Sequence, residues 1–217
     1  MCASTRRSGD ATRQRLLRAA LELFTTNGFR STTTPEIARR AGVAEGTIYR
    51  HFSGKEHLLN EVYRAAHRWA SGLVAETELP QPPKERLHRI GRRLIEGAER
   101  DPAAARMLLL TRDERHLDER SRDAAREFRG GLQQVIASGK SDGLVRAGPA
   151  DLWAAVWLAL VAFAVERVAA GEWTAEQPQT AQLLEAAWDA IKQTGASGNA
   201  RDSDGDGRDP AGAGPGV

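Results

Sequence analysis

Apolar side chains recur at spacings of three and four residues along most of the 217-residue chain, and this period indicates helices. In the first such segment the apolar positions share one helix face: Leu16, Ala20, Leu23 and Phe24. The sequence has no alternating run of Val, Ile and Thr bounded by hairpin turns, which would predict strands. We therefore expect an all-α protein of one or two domains with a hydrophobic core.

The cysteine content and the longest apolar run restrict where the protein acts. Cys2 is the single cysteine, so an intramolecular disulfide is impossible and a secreted, disulfide-stabilised scaffold is excluded. The longest apolar run without a charge, residues 152–165, has 14 residues, whereas a helix that spans a bilayer needs about 18. We expect a cytoplasmic protein without a membrane partner, in which this run forms a helix buried on two sides.

Charge is distributed unevenly along the chain. Residues 1–55 contain ten Lys and Arg against four Asp and Glu, a net charge of +6. The remaining residues contain 21 basic and 25 acidic side chains, a net charge of −4. A basic segment joined to a mildly acidic body is typical of a protein that meets a polyanion at one end.

Two short helices separated by a tight turn follow the first helix. Thr34 is suited to cap the first of them, with Pro35 at its first helical position, and Gly42 ends it. The next helix covers residues 45–52, and a capping-box pattern at residues 53–56 begins a longer fourth helix. This order predicts a helix-turn-helix, in which residues 45–52 are the recognition helix that enters the DNA major groove.

Several side chains of this segment are suited to contact DNA. Arg50 can donate two hydrogen bonds to guanine O6 and N7, a contact that contributes about 1–3 kcal/mol of discrimination. Glu45 can accept from cytosine N4, and Gly46 would let the backbone approach the groove closely. Hydroxyl, imidazole and ammonium donors can reach phosphates. The complete set of candidates is Thr33, Thr34, Glu45, Gly46, Thr47, Tyr49, Arg50, His51 and Lys55.

Residues 11–59 resemble the DNA-binding domain of the TetR family of bacterial transcriptional regulators. The matching elements include Gly28-Phe29, Thr33-Thr34, Ala41-Gly42-Val43, the run 46–52 and Lys55-Glu56. Two positions depart from the family pattern. Ala44 stands where a capping residue is common, which costs about 1 kcal/mol, and Pro35 stands where some members contact bases with a basic side chain. Base readout would then depend more on Glu45, Thr47 and Arg50.

The resemblance implies a homodimer in which the last two long helices of each subunit form a four-helix bundle. It also implies a pocket in the body for a small-molecule effector, which we expect to be hydrophobic or planar. The effector would change the separation of the two recognition helices on a double-stranded, palindromic operator. We expect a repressor, and an activator of the same fold is the alternative.

The same resemblance divides the chain and suggests residues for the two sites in the body. We expect a flexible arm over residues 1–10, the helix-turn-helix domain over 11–53, the ligand-binding and dimerisation domain over 54–195, and a disordered tail rich in Gly and Asp over 196–217. The candidate pocket residues are Met107, Leu110, Phe128, Trp153 and Trp157. The candidate dimer contacts are Phe163, Leu184, Trp188 and Ile191.

Two other functions are alternatives to a regulator. Glu85-x-x-His88, with Asp113-x-x-His116 as a looser copy, fits the spacing of a di-iron helical bundle, but both histidines lie among arginines as on solvated faces. A helical interaction module that has lost DNA binding conflicts with the donors around Tyr49. The sequence has no nucleophile-elbow, phosphate-loop, dinucleotide or cysteine zinc motif, so we expect no catalysis, cofactor or metal.

Overall fold

The computed structural model of the protein describes residues 2–76, 81–109 and 114–194, and it is helical almost throughout these ranges. The helices are α1 (Cys2–Thr26), α2 (Thr34–Ala41), α3 (Ile48–His51), α4 (Lys55–Ala75), α5 (Pro83–Arg100), α6 (Pro102–Leu109), α7 (Glu119–Ser141), α8 (Ala150–Ala169) and α9 (Pro178–Asp189). Single 3-10 turns cover Glu45–Thr47 and Glu114–His116. The described residues contain no strand, only an isolated bridge between Val145 and Lys192. The predicted all-α class is confirmed.

The first three helices enclose one small core. Leu16 of α1, Ile37 of α2 and Ile48 of α3 are completely buried. Gly28 has a φ of +83°, which places the chain in the left-handed region as it leaves α1. Helix α1 starts at Cys2, so residues 2–10 continue this helix, whereas we had expected a separate flexible arm there.

Two predicted helix caps are wrong by one residue. The N-cap of α2 is Thr33 rather than Thr34, because Glu36 is then at the third helical position and accepts from the Thr33 N–H at 2.8 Å. The N-cap of α4 is Gly54 and has no side-chain cap. The expected capping box at Ser53 does not form, since the Ser53 N–H donates to Nδ1 of His57.

Helix α4 leaves the helix-turn-helix and packs lengthwise against α7 in the body. Helices α5, α8 and α9 pack together beside this pair. Gly91 permits the close approach of α5, because a Cβ at this position would lie 2.5 Å from Leu184 and 3.3 Å from Trp157. The apolar positions of α5, including Leu87 and Leu94, are buried.

Within a single chain, helix α8 is buried on one face, and the second face on which we expected burial is open. Trp157, Val161 and Val165 face the core, whereas Leu152 is 48% exposed and Phe163 is 45% exposed. By length and composition alone this helix is apolar enough to cross a membrane, although it has only a 14-residue run without charge. Its contacts with α5, α7 and α9 place it as a core helix of the described fold with one apolar face left open.

Candidate DNA-binding surface and effector cavity

The recognition helix consists of the 3-10 turn at Glu45–Thr47 followed directly by α3. Ile48 and the following Phe52 are buried and fix this short element against α1 and α2. Tyr49 is 57% exposed and Arg50 is also exposed, so both side chains point away from the core. Ala44 provides no side-chain cap, as predicted.

The N-terminus of α2 lies beside the recognition helix. The hydroxyl groups of Thr34 and Tyr49 are 3.4 Å apart, so the two residues belong to one surface. The Thr33 hydroxyl instead donates to Glu36 at 2.9 Å. The Thr33 N–H and hydroxyl together hold the pKa of Glu36 below its ordinary value. The Thr33 side chain therefore stabilises α2, and Thr34 is the better placed of the two for DNA.

Lys55 already has partners for its ammonium inside the protein, which we had not expected. Its ammonium donates to the carbonyl oxygens of Phe29 and Thr32, both at 2.9 Å, and lies 3.5 Å from that of Arg30. It also lies 4.4 Å from the centre of the Phe29 ring. The lysine therefore holds the connection between α1 and α2 against the start of α4. The number of basic residues in a segment cannot predict these contacts, because it does not show where each side chain points.

The other candidates remain open to solvent or partly so. Glu45 and Gly46 are exposed, and Thr47 and His51 are half-buried. A Cβ at Gly46 would meet nothing within 4 Å, so the protein's own packing does not require glycine there. Within the described ranges, Arg50 makes no ion pair or hydrogen bond that would compete with a base. These residues stay predictions as DNA contacts.

A cavity of about 390 Å³ lies in the body between α4, α6, α7 and α8. Its apolar lining includes Leu108, Leu132 and Leu158, and Tyr63 and His67 of α4 form one wall. Of the four predicted pocket residues that the structure describes, only Phe128 lines this cavity.

The remaining pocket candidates lie elsewhere or outside the described residues. Met107 and Trp157 are buried in the packing core, where Trp157 approaches Gly91. Trp153 lies under the Arg146 guanidinium and donates to the Ala147 carbonyl at 3.1 Å. Leu110 lies outside the residues that the structure describes. An apolar helix such as α8 has more than one face, and helical spacing alone did not indicate which face borders the cavity.

Three of the four predicted dimer contacts are buried inside the chain itself. Leu184, Trp188 and Ile191 are at most 7% exposed, so the core of one subunit already uses their side chains. Phe163 is exposed, and it shares one side of α8 with the exposed Leu152, which sequence reasoning missed. Leu152 is the first residue of the apolar run 152–165, and this position could have marked it as a candidate for the same exposed surface.

A chain of ion pairs connects the helix-turn-helix to the body. Arg13 of α1 pairs with Glu61 of α4, which also accepts from Arg64 at 2.6 Å. Arg64 in turn pairs at 2.8 Å with Asp118, the N-cap of α7. Burial alone would raise the pKa of Glu61, but Arg64 and Arg13 hold it below its ordinary value. One polar network therefore joins α1 of the helix-turn-helix to α4 and α7, which line the cavity.

Two family models match consecutive parts of the chain. Residues 16–62 match the family described as bacterial regulatory proteins, tetR family, and residues 72–193 match the Tetracyclin repressor-like, C-terminal domain. The chain belongs to the TetR family. It is therefore a DNA-binding transcriptional regulator of bacterial type, and such regulators are not enzymes.

Individual relatives agree with this assignment. The HTH-type transcriptional regulator YvkB of Bacillus subtilis is 40% identical over 88 residues, which are 41% of this chain and 46% of that protein. The HTH-type transcriptional repressor KstR2 of Mycolicibacterium smegmatis is 38% identical over 60 residues, 28% of this chain and 29% of that protein. Both matches cover less than half of the relative's length. A TetR family regulator from Marinobacter aquaeolei has the same fold, with a TM-score of 0.75, 20% identity, and coverage of 87% of this chain and 100% of that one.

The histidines that suggested a metalloenzyme have other contacts in this TetR family member. His88 lies next to Glu185, with Nε2 3.1 Å from a carboxylate oxygen, and Glu85 is exposed. His116 contacts Glu56, and Asp113 lies outside the described residues. No cluster of three His, Cys, Asp or Glu side chains suited to a metal ion occurs among the residues that the structure describes.

Proposed function

We propose that this TetR family protein is a homodimeric repressor that binds a palindromic operator and is released from it by a small-molecule effector. The observation that carries the proposal is the double role of α4. This helix begins at Lys55, directly after the recognition helix, and further along it forms a wall of the 390 Å³ cavity through Tyr63 and His67. As a DNA-binding regulator the protein would act in the bacterial cytoplasm.

Effector control requires that the ligand prefers one position of α4. A ligand shifts an equilibrium only by its difference in affinity for the two states. A compound that moves α4 against α7 would strain the Arg13–Glu61–Arg64–Asp118 ion pairs and so displace α1 of the DNA-binding domain. The cavity volume falls within the range of small-molecule sites, and its mostly apolar lining suits a hydrophobic or planar compound.

The open face of α8 is the surface that a second subunit would cover. Leu152, Ala155, Ala159 and Phe163 follow one another at helical spacing along the exposed side of this helix. An isologous contact would bury the same stripe on both subunits, and it would set the two recognition helices at a fixed distance, about 34 Å for successive major grooves. Ala155 and Ala159 also line the cavity, so the second subunit would narrow its mouth.

Sedimentation velocity tests the dimer. We expect a dimer for the wild-type chain and a monomer for the double variant Leu152→Glu with Phe163→Glu. Leu144→Glu is a matched control, because Leu144 is a similarly exposed apolar residue outside α8. Dimers that survive the double substitution, or that are lost equally in the control, would contradict this surface.

In vitro transcription from the promoter upstream of the protein's own gene tests repression. We expect the wild-type chain to lower the transcript level and Arg50→Ala to lose this effect. Arg89→Ala, a change of an exposed arginine on α5, should repress normally. A transcript level that rises on addition of the wild-type chain would identify an activator, and an unchanged level at saturating protein would contradict regulation of this promoter.

A further inference from the structure

The cavity has one deeply buried imidazole, which belongs to His67 of α4. The residue is 3% exposed, whereas Arg129 and Asp151 in the same lining are exposed at the mouth. The imidazole stacks on Tyr63 with 4.1 Å between ring centres and meets Phe128 edge to face at 6.4 Å. Packing on both sides therefore restricts rotation of the ring.

The backbone determines which nitrogen of His67 carries the proton. Nδ1 lies 3.0 Å from the carbonyl oxygen of Tyr63, one helical turn earlier. A carbonyl only accepts hydrogen bonds, so Nδ1 must be the donor. Burial lowers the pKa of His67, a backbone bond to Tyr63 opposes this, and the nearby Arg129 lowers the pKa further. The ring is then neutral near pH 7, and Nε2 presents a lone pair.

Within the ranges that the structure describes, Nε2 of His67 makes no hydrogen bond, and it is not among the fully buried side-chain atoms that lack a partner, so water or a ligand can reach it. Nδ1 lies on the edge of the ring that faces the α4 backbone, and Nε2 lies on the edge farther from that backbone. An acceptor that faces a cavity in this way is satisfied by water or by a ligand donor, and a ligand that covers it without donating loses affinity.

We propose that the effector carries a neutral hydroxyl or N–H group that donates to Nε2 of His67 from a flat, apolar body packed against Phe128 and Leu132. This inference rests on the effector cavity of the proposed function. A carboxylate has no proton to donate. An ammonium group would be buried without a buried carboxylate in the described lining, because Asp151 lies at the exposed mouth, and it would meet the charge of Arg129. His67 is thus a specificity-determining residue on the helix that leads to the DNA.

Histidine ¹⁵N NMR of the full-length wild-type chain tests the acceptor without any ligand. The His67 signals, assigned with a His67→Phe variant, should show protonated Nδ1 and unprotonated Nε2 at pH 7. A protonated Nε2, in either the other neutral tautomer or the imidazolium, would overturn the proposal.

Calorimetric titration with 1-naphthol and naphthalene tests the ligand class. The two probes share a flat apolar body and differ in one hydroxyl donor. We expect 1-naphthol to bind the wild-type chain at least tenfold more tightly, and the preference to disappear in His67→Phe, which keeps an aromatic ring but lacks the acceptor. Equal affinities, no binding of 1-naphthol up to its solubility limit, or a preference retained in a folded His67→Phe would contradict the proposal.

Both measurements are made without DNA, so their failure is separable from a failure of the proposed function. If the NMR and naphthol results are as expected but no ligand releases the operator, the cavity has the stated chemistry and effector control is wrong. If an effector without a donor releases the operator, the proposed function stands and the role of His67 is wrong.

Discussion

Replacement of Lys55 by methionine should destabilise the protein without removing a DNA phosphate contact. The change keeps most of the aliphatic stem and removes the ammonium, which donates to two carbonyl oxygens at 2.9 Å and lies over the Phe29 ring. A hydrogen bond to a charged group contributes about 1.5–3 kcal/mol to stability. Because Lys55 is only half-buried, we take the lower end for each bond and expect the free energy of unfolding to fall by about 3 kcal/mol.

Urea unfolding at fixed protein concentration measures this loss, and DNA titration over a range of salt measures the alternative. If Lys55 held a phosphate, its removal would reduce the slope of log affinity against log salt by about 0.9. We expect an unchanged slope. Arg50→Ala is the matched control for stability, since a change of an exposed side chain alters the free energy of unfolding by about 0.5 kcal/mol or less, and it should weaken the sequence preference instead. A Lys55→Met variant with wild-type stability and a reduced salt slope would refute the reasoning.

Four further substitutions test the packing, capping and protonation inferred above. In the same urea assay, Gly91→Ala should lower the free energy of unfolding by about 1–3 kcal/mol, because the added Cβ would clash with Leu184. Gly72→Ala is the control in α4: its added Cβ would meet nothing within 4 Å, so the free energy of unfolding should rise by up to about 1 kcal/mol. Thr33→Ala should lower the thermal midpoint through a loss of about 1 kcal/mol, and an unchanged midpoint would argue against the capping box. Burial lowers the pKa of His67 in the folded protein, so below its ordinary value of 6.5 the unfolded chain binds more protons than the folded one. The free energy of unfolding should therefore fall as the pH drops below 6.5. In His67→Phe this fall should be less steep.

The helices and their boundaries follow from signals that are local in the sequence. Gly28 and Gly42 end α1 and α2 in the left-handed region, as glycine favours. Asp101, directly before Pro102, accepts a hydrogen bond from the Ala104 N–H at the start of α6. The predicted N-cap of α2 was the wrong one of two adjacent threonines. The capping box requires its glutamate at the third position after the N-cap, and the position of Glu36 therefore selects Thr33.

The burial of side chains in the body was harder to predict, because it depends on contacts far apart in sequence. Helix α8 is apolar on all sides, so periodicity cannot tell its core face from its open face. Trp188 and Leu184 are large apolar residues suited to a subunit contact, yet both are buried within one chain, where Leu184 occupies the space beside Gly91. The cavity wall at His67 was missed for the same reason, since it forms only when α4 meets α7.

The most direct test of the account is a fluorescence-anisotropy titration of operator recognition. The wild-type chain and Arg50→Ala are titrated at two salt concentrations against duplex DNA from upstream of the protein's own gene and against a scrambled duplex. We predict tighter binding to the upstream duplex, a steep fall in affinity with salt, and a sequence preference that weakens in Arg50→Ala. Equal binding of both duplexes, unaffected by the substitution, would contradict operator recognition by the helix that carries Arg50.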